Sequence, residues 1–258
     1  MADERANADA EAGAPQPPGE APPGLAPRNL EALFTAGARL TDPEHGLAVV
    51  SEPEQAGLLH LTTGSVVAAD PGSLSRRDTP FTVTVAPGRY PVAIGRIRWQ
   101  DKGWSEVTAA RITVRDEPVA TWELALRPGQ DPDALRRRGY YGFDVDTGSG
   151  AFLDAAGRDR LAALYRSGLA AALAAAEPSA DAPCGTWVQD PETGANLVAF
   201  PGGRGDGTYP VWIGRGPTGQ VACLVADLLV LHGAEPLSPG PLPAARHIAP
   251  PPAVAAPA

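Results

Sequence analysis

From residue 47 onward, apolar residues come in short runs of period two, interrupted by Gly or Pro. This texture predicts strands at about 47–50, 58–61, 65–69, 81–85, 90–99, 107–115 and 121–126. In FTVTVAPGRYPVAIGRIRW, Phe81, Val83 and Val85 alternate with polar neighbours, Pro87-Gly88 follows, and a second apolar run begins, as in a hairpin. Ahead of it, Asn29 is placed to cap a short helix with Leu30, Leu33 and Phe34 on one face. The period then lengthens. Leu161, Leu164, Tyr165, Leu169 and Leu173 recur at steps of three and four, which predicts one principal helix at about 158–176, closed by Glu177-Pro178. Strands resume at 186–189, 196–200, 208–215 and 221–231, the last apolar enough to be buried on both faces. The fold class predicted is α+β, predominantly antiparallel β in sandwich-like sheets, with that helix packed on or beside them.

The ends read differently. Residues 1–27 and 234–258 together hold 14 of the 29 prolines and no strand or helix period, so both are expected to be disordered tails around one β-rich domain at 28–233. The chain carries −9, of which the first 27 residues carry −4 and the last 25 none, leaving about −5 for the domain. That balance argues against a phosphate-tracking nucleic-acid surface. Arg136-Arg137-Arg138, the one basic run, reads as a solvated face. No signal-peptide core and no membrane-length apolar stretch is visible, and two cysteines make no disulfide framework, so a cytoplasmic protein is expected.

Several chemistries are missing from the pattern. The only lysine, Lys102, precedes Gly103 and opens no phosphate loop, and neither Gly-x-Ser-x-Gly nor His-Glu-x-x-His occurs. His45, His60, His232 and His247 lie far apart, and Arg204-Gly205-Asp206 spells an adhesion tripeptide only by coincidence in an unsecreted chain. Asp146-Thr147-Gly148-Ser149 spells the catalytic turn of aspartic peptidases, which need two aspartates sharing a proton and so would demand a homodimer here. An alanine-rich helix stands where that fold has flap strands, which counts against it.

Read as a hairpin, 140–154 sorts its side chains best with an odd loop. Phe143, Val145, Ala151 and Leu153 then share one face, and Asp144, Asp146, Phe152 and Asp154 the other. Carboxylates sharing a face are the donors a hard cation such as Ca²⁺ or Mg²⁺ takes. Asp154 is also placed to cap the following helix. In PGGRGDGTYPVWIG, Gly202, Gly203, Gly205 and Gly207 around Asp206 allow a tight loop with outward N–H groups, an anion cradle, with Tyr209 at the loop-to-strand junction. If this loop meets 140–154, Asp146, Asp154 and Asp206 form a metal site, with Asp144 and Tyr209 as further ligand contacts.

The stretches PFTVTVAPGRYPV, VTAARI, TWELALRPGQD, VDTGSGAFLD, GDGTYPVWIG and CLVADLLVL, in this order across 80–231, resemble a bacterial family, common in actinobacteria, catalogued as domain of unknown function 4241. The resemblance implies one β-rich domain and carries over no activity and no catalytic residue. In the family pattern the positions similar to Asp146, Asp154 and Asp206 are acidic, Asp144 stands where glycine is usual, and alanine often follows Asp146. Three readings emerge. One is a cytosolic binding or accessory domain with an acidic site for a divalent cation or polar ligand. The second is a hydrolase, metal-assisted or a homodimeric aspartic peptidase using 146–148. The third is a protein-interaction module of bacterial competition systems.

Overall fold

The computed structural model describes residues 25–135, 139–175 and 186–237. Arg136-Arg137-Arg138 and most of both tails lie outside this set. Strands β1 (Arg39–Asp42), β2 (Gly46–Val50), β3 (Glu54–Leu61), β4 (Val66–Ala69), β5 (Gly88–Trp99), β6 (Ser105–Thr113), β7 (Thr121–Leu124), β8 (Phe143–Val145) and β9 (Ser149–Asp154) precede the helix α1 (Arg158–Ala175). After it come β10 (Thr186–Gln189), β11 (Asn196–Pro201), β12 (Gly207–Tyr209), β13 (Val211–Arg215), β14 (Val221–Asp227) and β15 (Glu235–Pro236). The fold is α+β and β-dominated, with antiparallel ladders and one α-helix among the described residues.

Nine strands form one sheet, ordered β15-β1-β2-β5-β6-β14-β13-β7, with β3 also paired to β5. Four form a second, β10-β11-β9-β4, and β8 pairs with β12 alone. The period of two decides how these layers stack. Val66, Ala68, Phe152, Val198 and Phe200 face the core shared with the large sheet. Their alternates Val67, Ala69, Ala151, Leu153, Leu197 and Ala199 pack against Leu161, Ala162 and Tyr165 of α1. The small sheet is therefore buried on both faces, between the large sheet and the helix. Its buried Val, Leu and Phe side chains each contribute on the order of 1.5–3 kcal/mol.

Four local expectations are corrected. Segment 81–85 is not the partner of β5, which pairs with β6, β3 and β2. Phe81 N–H instead donates to Val66 O, Thr82 N–H to Leu126 O and Val85 N–H to Gly64 O, so the segment threads between other elements with Phe81 buried. Asn29 is no helix cap: it adopts φ 60°, and its side-chain amide donates to Ala234 O at 2.9 Å, tying the segment before β1 to the segment after β14. The run 208–215 divides at Pro210, which has no N–H to donate, into strands of different sheets. The run 221–231 stops being strand at Asp227, whose carboxylate takes Leu229 N–H at 2.9 Å and turns the chain, with Leu229 at φ 58°.

Candidate functional site

The two stretches singled out by their aspartates do meet. β9 runs antiparallel to β11 as far as Ser149 opposite Pro201, and β8 to β12 from Val145 opposite Gly207. Between these ladders, the three residues 146–148 face the five residues 202–206, so the ribbon kinks. Gly148 supplies the left-handed φ of 73°, and Gly202 N–H donates to Gly148 O at 2.8 Å across the kink. The three-residue turn is as expected, but 140–154 is not a hairpin, because its two arms pair with 196–209 and not with each other. The expected face sorting is corrected accordingly: Phe143 and Val145 share a core with Phe152, while Ala151 and Leu153 face the helix.

The kink is held by Asp70, which is 2% exposed. Its Oδ2 accepts from Asp146 N–H at 2.7 Å and Thr147 N–H at 2.6 Å, and its Oδ1 from Thr147 Oγ1 at 2.6 Å and Gly72 N–H at 2.7 Å. A Cβ on Gly72 would lie 2.7 Å from Thr147 Oγ1, so glycine is required for this approach. Hydrogen bonds to an ionised acceptor are the stronger kind, and four on one carboxylate make a stiff turn. Asp146 contributes its backbone to the clamp and leaves its side chain exposed. Asp144 is exposed as well and accepts from Thr208 Oγ1 at 2.6 Å, and Asp206 is exposed on the opposite loop. Tyr209 is buried, its hydroxyl donating to Gly205 O at 2.8 Å.

Asp154 is elsewhere. It lies five residues beyond Ser149, roughly 16 Å at the rise of a strand. Fully buried, it accepts from Thr63 N–H and Oγ1, both at 2.8 Å, from Gly64 N–H at 3.2 Å, and from Ala156 N–H at 2.9 Å, where it caps the 3₁₀ turn leading into α1. The expected grouping of Asp146, Asp154 and Asp206 around one Ca²⁺ or Mg²⁺ is corrected on this ground. No group of three or more His, Cys, Asp or Glu is placed to hold a metal among the described residues. The glycine loop is no open anion cradle either, since Gly202 and Gly205 N–H are spent on Gly148 O and Gly202 O.

The loop is anchored on its other side by Arg204. Its Nη2 stands 3.4 Å from both ring nitrogens of His45, a position over the ring rather than along either lone pair, and its Nε is 3.8 Å from Glu106. His45 Nδ1 bonds Asp42 at 2.9 Å, which places a proton on that nitrogen. Burial alone would raise the Asp42 pKa, but hydrogen bonds from the His45 ring, His45 N–H and Glu44 N–H outweigh it and hold the group below its usual value. Behind the kink lies Asp227, 4% exposed, whose pKa burial pushes up to about 6 against the pull of Leu229 N–H. The buried Trp212 indole N–H opposes that rise too, although it reaches no partner at normal hydrogen-bond geometry. Burial and the Asp227 charge raise the Tyr140 pKa, and burial, Tyr140 and Asp206 raise that of Tyr209 against Arg204. Both phenols are therefore neutral donors at neutral pH, Tyr140 giving its proton to Thr208 O at 2.9 Å.

Sequence reasoning passed over Asp70 and Asp227. A signal for the first existed, because Asp-Pro is a turn-initiating step whose carboxylate serves N–H groups ahead of it. Nothing in the sequence marked Asp227, which ends an apolar strand. No helix of the described residues is long and apolar enough to cross a membrane. Comparison with curated proteins and with solved structures gives no match. A family model described as a protein of unknown function (DUF4241) does match, over residues 59–226, which take in the Asp70 clamp, the kinked ribbon and all but the last residue of β14. The chain belongs to the DUF4241 family of proteins of unknown function.

Proposed function

We propose that this domain is a binding module that meets its partner through the kink, where Asp144, Asp146 and Asp206 form an acidic ridge on a preorganised backbone. The observation that carries this reading is the division of labour among the aspartates. The buried carboxylates of Asp70 and Asp154 are saturated by backbone and threonine donors, and those of the kink are left facing solvent. A ridge that is already rigid loses little entropy on binding, and its charge selects partners presenting cationic or hydrogen-bond-donating groups. The ligand class is thus a basic surface or peptide, with Tyr209 as the post that holds the loop.

A peptidase is less well supported. Its catalytic aspartate must face a second carboxylate away from bulk water, whereas Asp146 is exposed and the Thr147 hydroxyl serves Asp70. A cytoplasmic, reducing setting belongs to the same proposal. Cys223 is a free, buried thiol whose pKa burial pushes up to about 12, suited to packing and not to redox chemistry.

The test has two arms. Thermal melting with millimolar Ca²⁺ or Mg²⁺ should match an ionic-strength control, because a true cation site stabilises by mass action. A rise of several degrees with either ion would restore the cation reading. Titration with a short arginine-rich peptide, followed by amide NMR, should then concentrate shift changes at 144–147 and 204–208. Changes spread evenly over the acidic surface would count against the ridge.

A further inference from the structure

We propose that the cleft where β3 meets β10 and β11, on a part of the molecule separate from the kink, binds a small carboxylate that carries a hydrogen-bond donor next to its acid group. The cleft has a volume of about 260 Å³ and is lined by Gly57, Leu58, His60, Arg89, Gln189 and Asn196. Its floor is fixed by Asn196, which acts as a surrogate strand. Its Oδ1 accepts His60 N–H at 2.7 Å and its Nδ2 donates to Leu58 O at 2.6 Å, which settles the amide orientation.

The wall is His60. Its Nδ1 lies 2.9 Å from Gly194 O, and a carbonyl can only accept, so Nδ1 carries a proton and Nε2 is the ring nitrogen left for the cleft. Gly194 sits in a turn held by buried Asp190, which accepts Thr193 Oγ1 at 2.6 Å, Glu192 N–H at 3.1 Å and Arg160 Nε at 2.9 Å. The imidazole is thereby preorganised by groups that do not themselves line the cleft.

Arg89 is the cation of the site. It is the direct cross-strand partner of His60, so the two side chains rise from the same face of the β3–β5 ladder. Among the described residues it has no ion-pair partner. A guanidinium fork takes a carboxylate bidentately, and the Gln189 amide at the rim, one N–H of which reaches Gly194 O at 3.4 Å, has its second N–H as a further donor. An N–H or O–H adjacent to the acid group completes the match with His60 Nε2, and the 40% exposed Leu58 offers an apolar surface to whatever side chain follows. Two sources share this chemistry: the carboxyl terminus of a peptide and a free amino acid.

The experiment titrates the full chain with N-acetyl-Ala-Leu, with its carboxamide and with free leucine, each followed by amide NMR. A saturable shift at residues 57–60, 89, 189 and 194–196 in the millimolar range or tighter is expected for an acid and not for the carboxamide. The acetylated acid alone would identify a peptide terminus and free leucine alone an amino acid. Arg89→Gln, an exposed change, should weaken binding at least about tenfold. His60→Asn, whose Nδ2 replaces the donor to Gly194 O, should keep the melting temperature and still lose affinity. Equal binding of the carboxamide, an unchanged Arg89→Gln variant, or no saturable shift at these residues would overturn the proposal.

Discussion

Four aspartates of this chain precede a proline, namely Asp42, Asp70, Asp131 and Asp190, and each accepts the N–H two residues ahead. Proline has no N–H and a fixed φ, so the carboxylate reaches past it to the next donor. Three of the four are buried, and Asp70 reaches furthest, across 76 residues to the kink. Asp70→Ala should therefore cost about 2–4 kcal/mol in chemical denaturation, since it removes four hydrogen bonds held by one buried carboxylate, while Asp146→Asn should change stability by less than about 0.5 kcal/mol. The opposite ranking would mean that Asp146, not Asp70, organises the turn. Asp227 predicts a pH dependence. Its pKa is about 6 in the fold against 3.8 for an ordinary aspartate, so ionisation penalises the folded state. The stability it permits is complete below about pH 4 and is lost as pH rises through 6, by on the order of 2–3 kcal/mol. Asp227→Asn should flatten the stability curve between pH 4 and 7 and raise stability at pH 7. A variant that destabilises equally at both ends of that range would show the carboxylate to be structurally required.

At the level of elements, the helix and the strand texture were legible because burial follows period. α1 runs Arg158–Ala175 where three-and-four spacing places it, and Leu161 and Tyr165 are buried as expected. Pairing was not legible, because partners are chosen by contacts far along the chain. The kink shows this well. The odd loop and its left-handed Gly148 could be read from Asp146-Thr147-Gly148, yet β8 pairs with β12 and β9 with β11, more than forty residues on, and β9 also with β4, more than eighty residues before it. The same limit explains 81–85, whose alternation is real but is used for threading and not for a ladder. Gly150 opens the space in which the aromatic cluster closes. A Cβ there would lie 2.6 Å from Phe200 and 2.9 Å from Phe143, whose rings meet edge-on at 6.4 Å. Gly150→Ala should cost about 1–3 kcal/mol by overpacking. A neutral result in denaturation would mean that the ribbon shifts freely, and that the ridge above it is not preorganised.

For the whole molecule, the family match at 59–226 is shorter than the sheet it belongs to. β1 and β2 place Leu40, Ala48 and Val50 in the main core, β2 pairs with the end of β5, and β15 closes the edge of β1 with Leu237 N–H on Arg39 O. We therefore propose that the folding unit is about 25–237. A chain of those residues should melt cooperatively, and one cut to 59–226 should not. Cooperative folding of the shorter piece would show β1, β2 and β15 to be additions to a self-sufficient core. The meeting of the two aspartate-bearing stretches was legible from their motifs, while the burial of Asp154 was not, because its threonine and backbone donors lie some ninety residues away. The central claim is that the kink is a binding ridge, and one affinity comparison addresses it. The arginine-rich peptide is titrated by fluorescence anisotropy into wild type, into Asp144→Asn/Asp146→Asn/Asp206→Asn, and into a control losing three charges elsewhere, Glu52→Gln/Asp133→Asn/Glu235→Gln. The ridge variant should bind at least about tenfold more weakly than the control. Equal affinity for the two variants would mean that bulk charge alone attracts the peptide, and the kink would then have no claim to be the binding site.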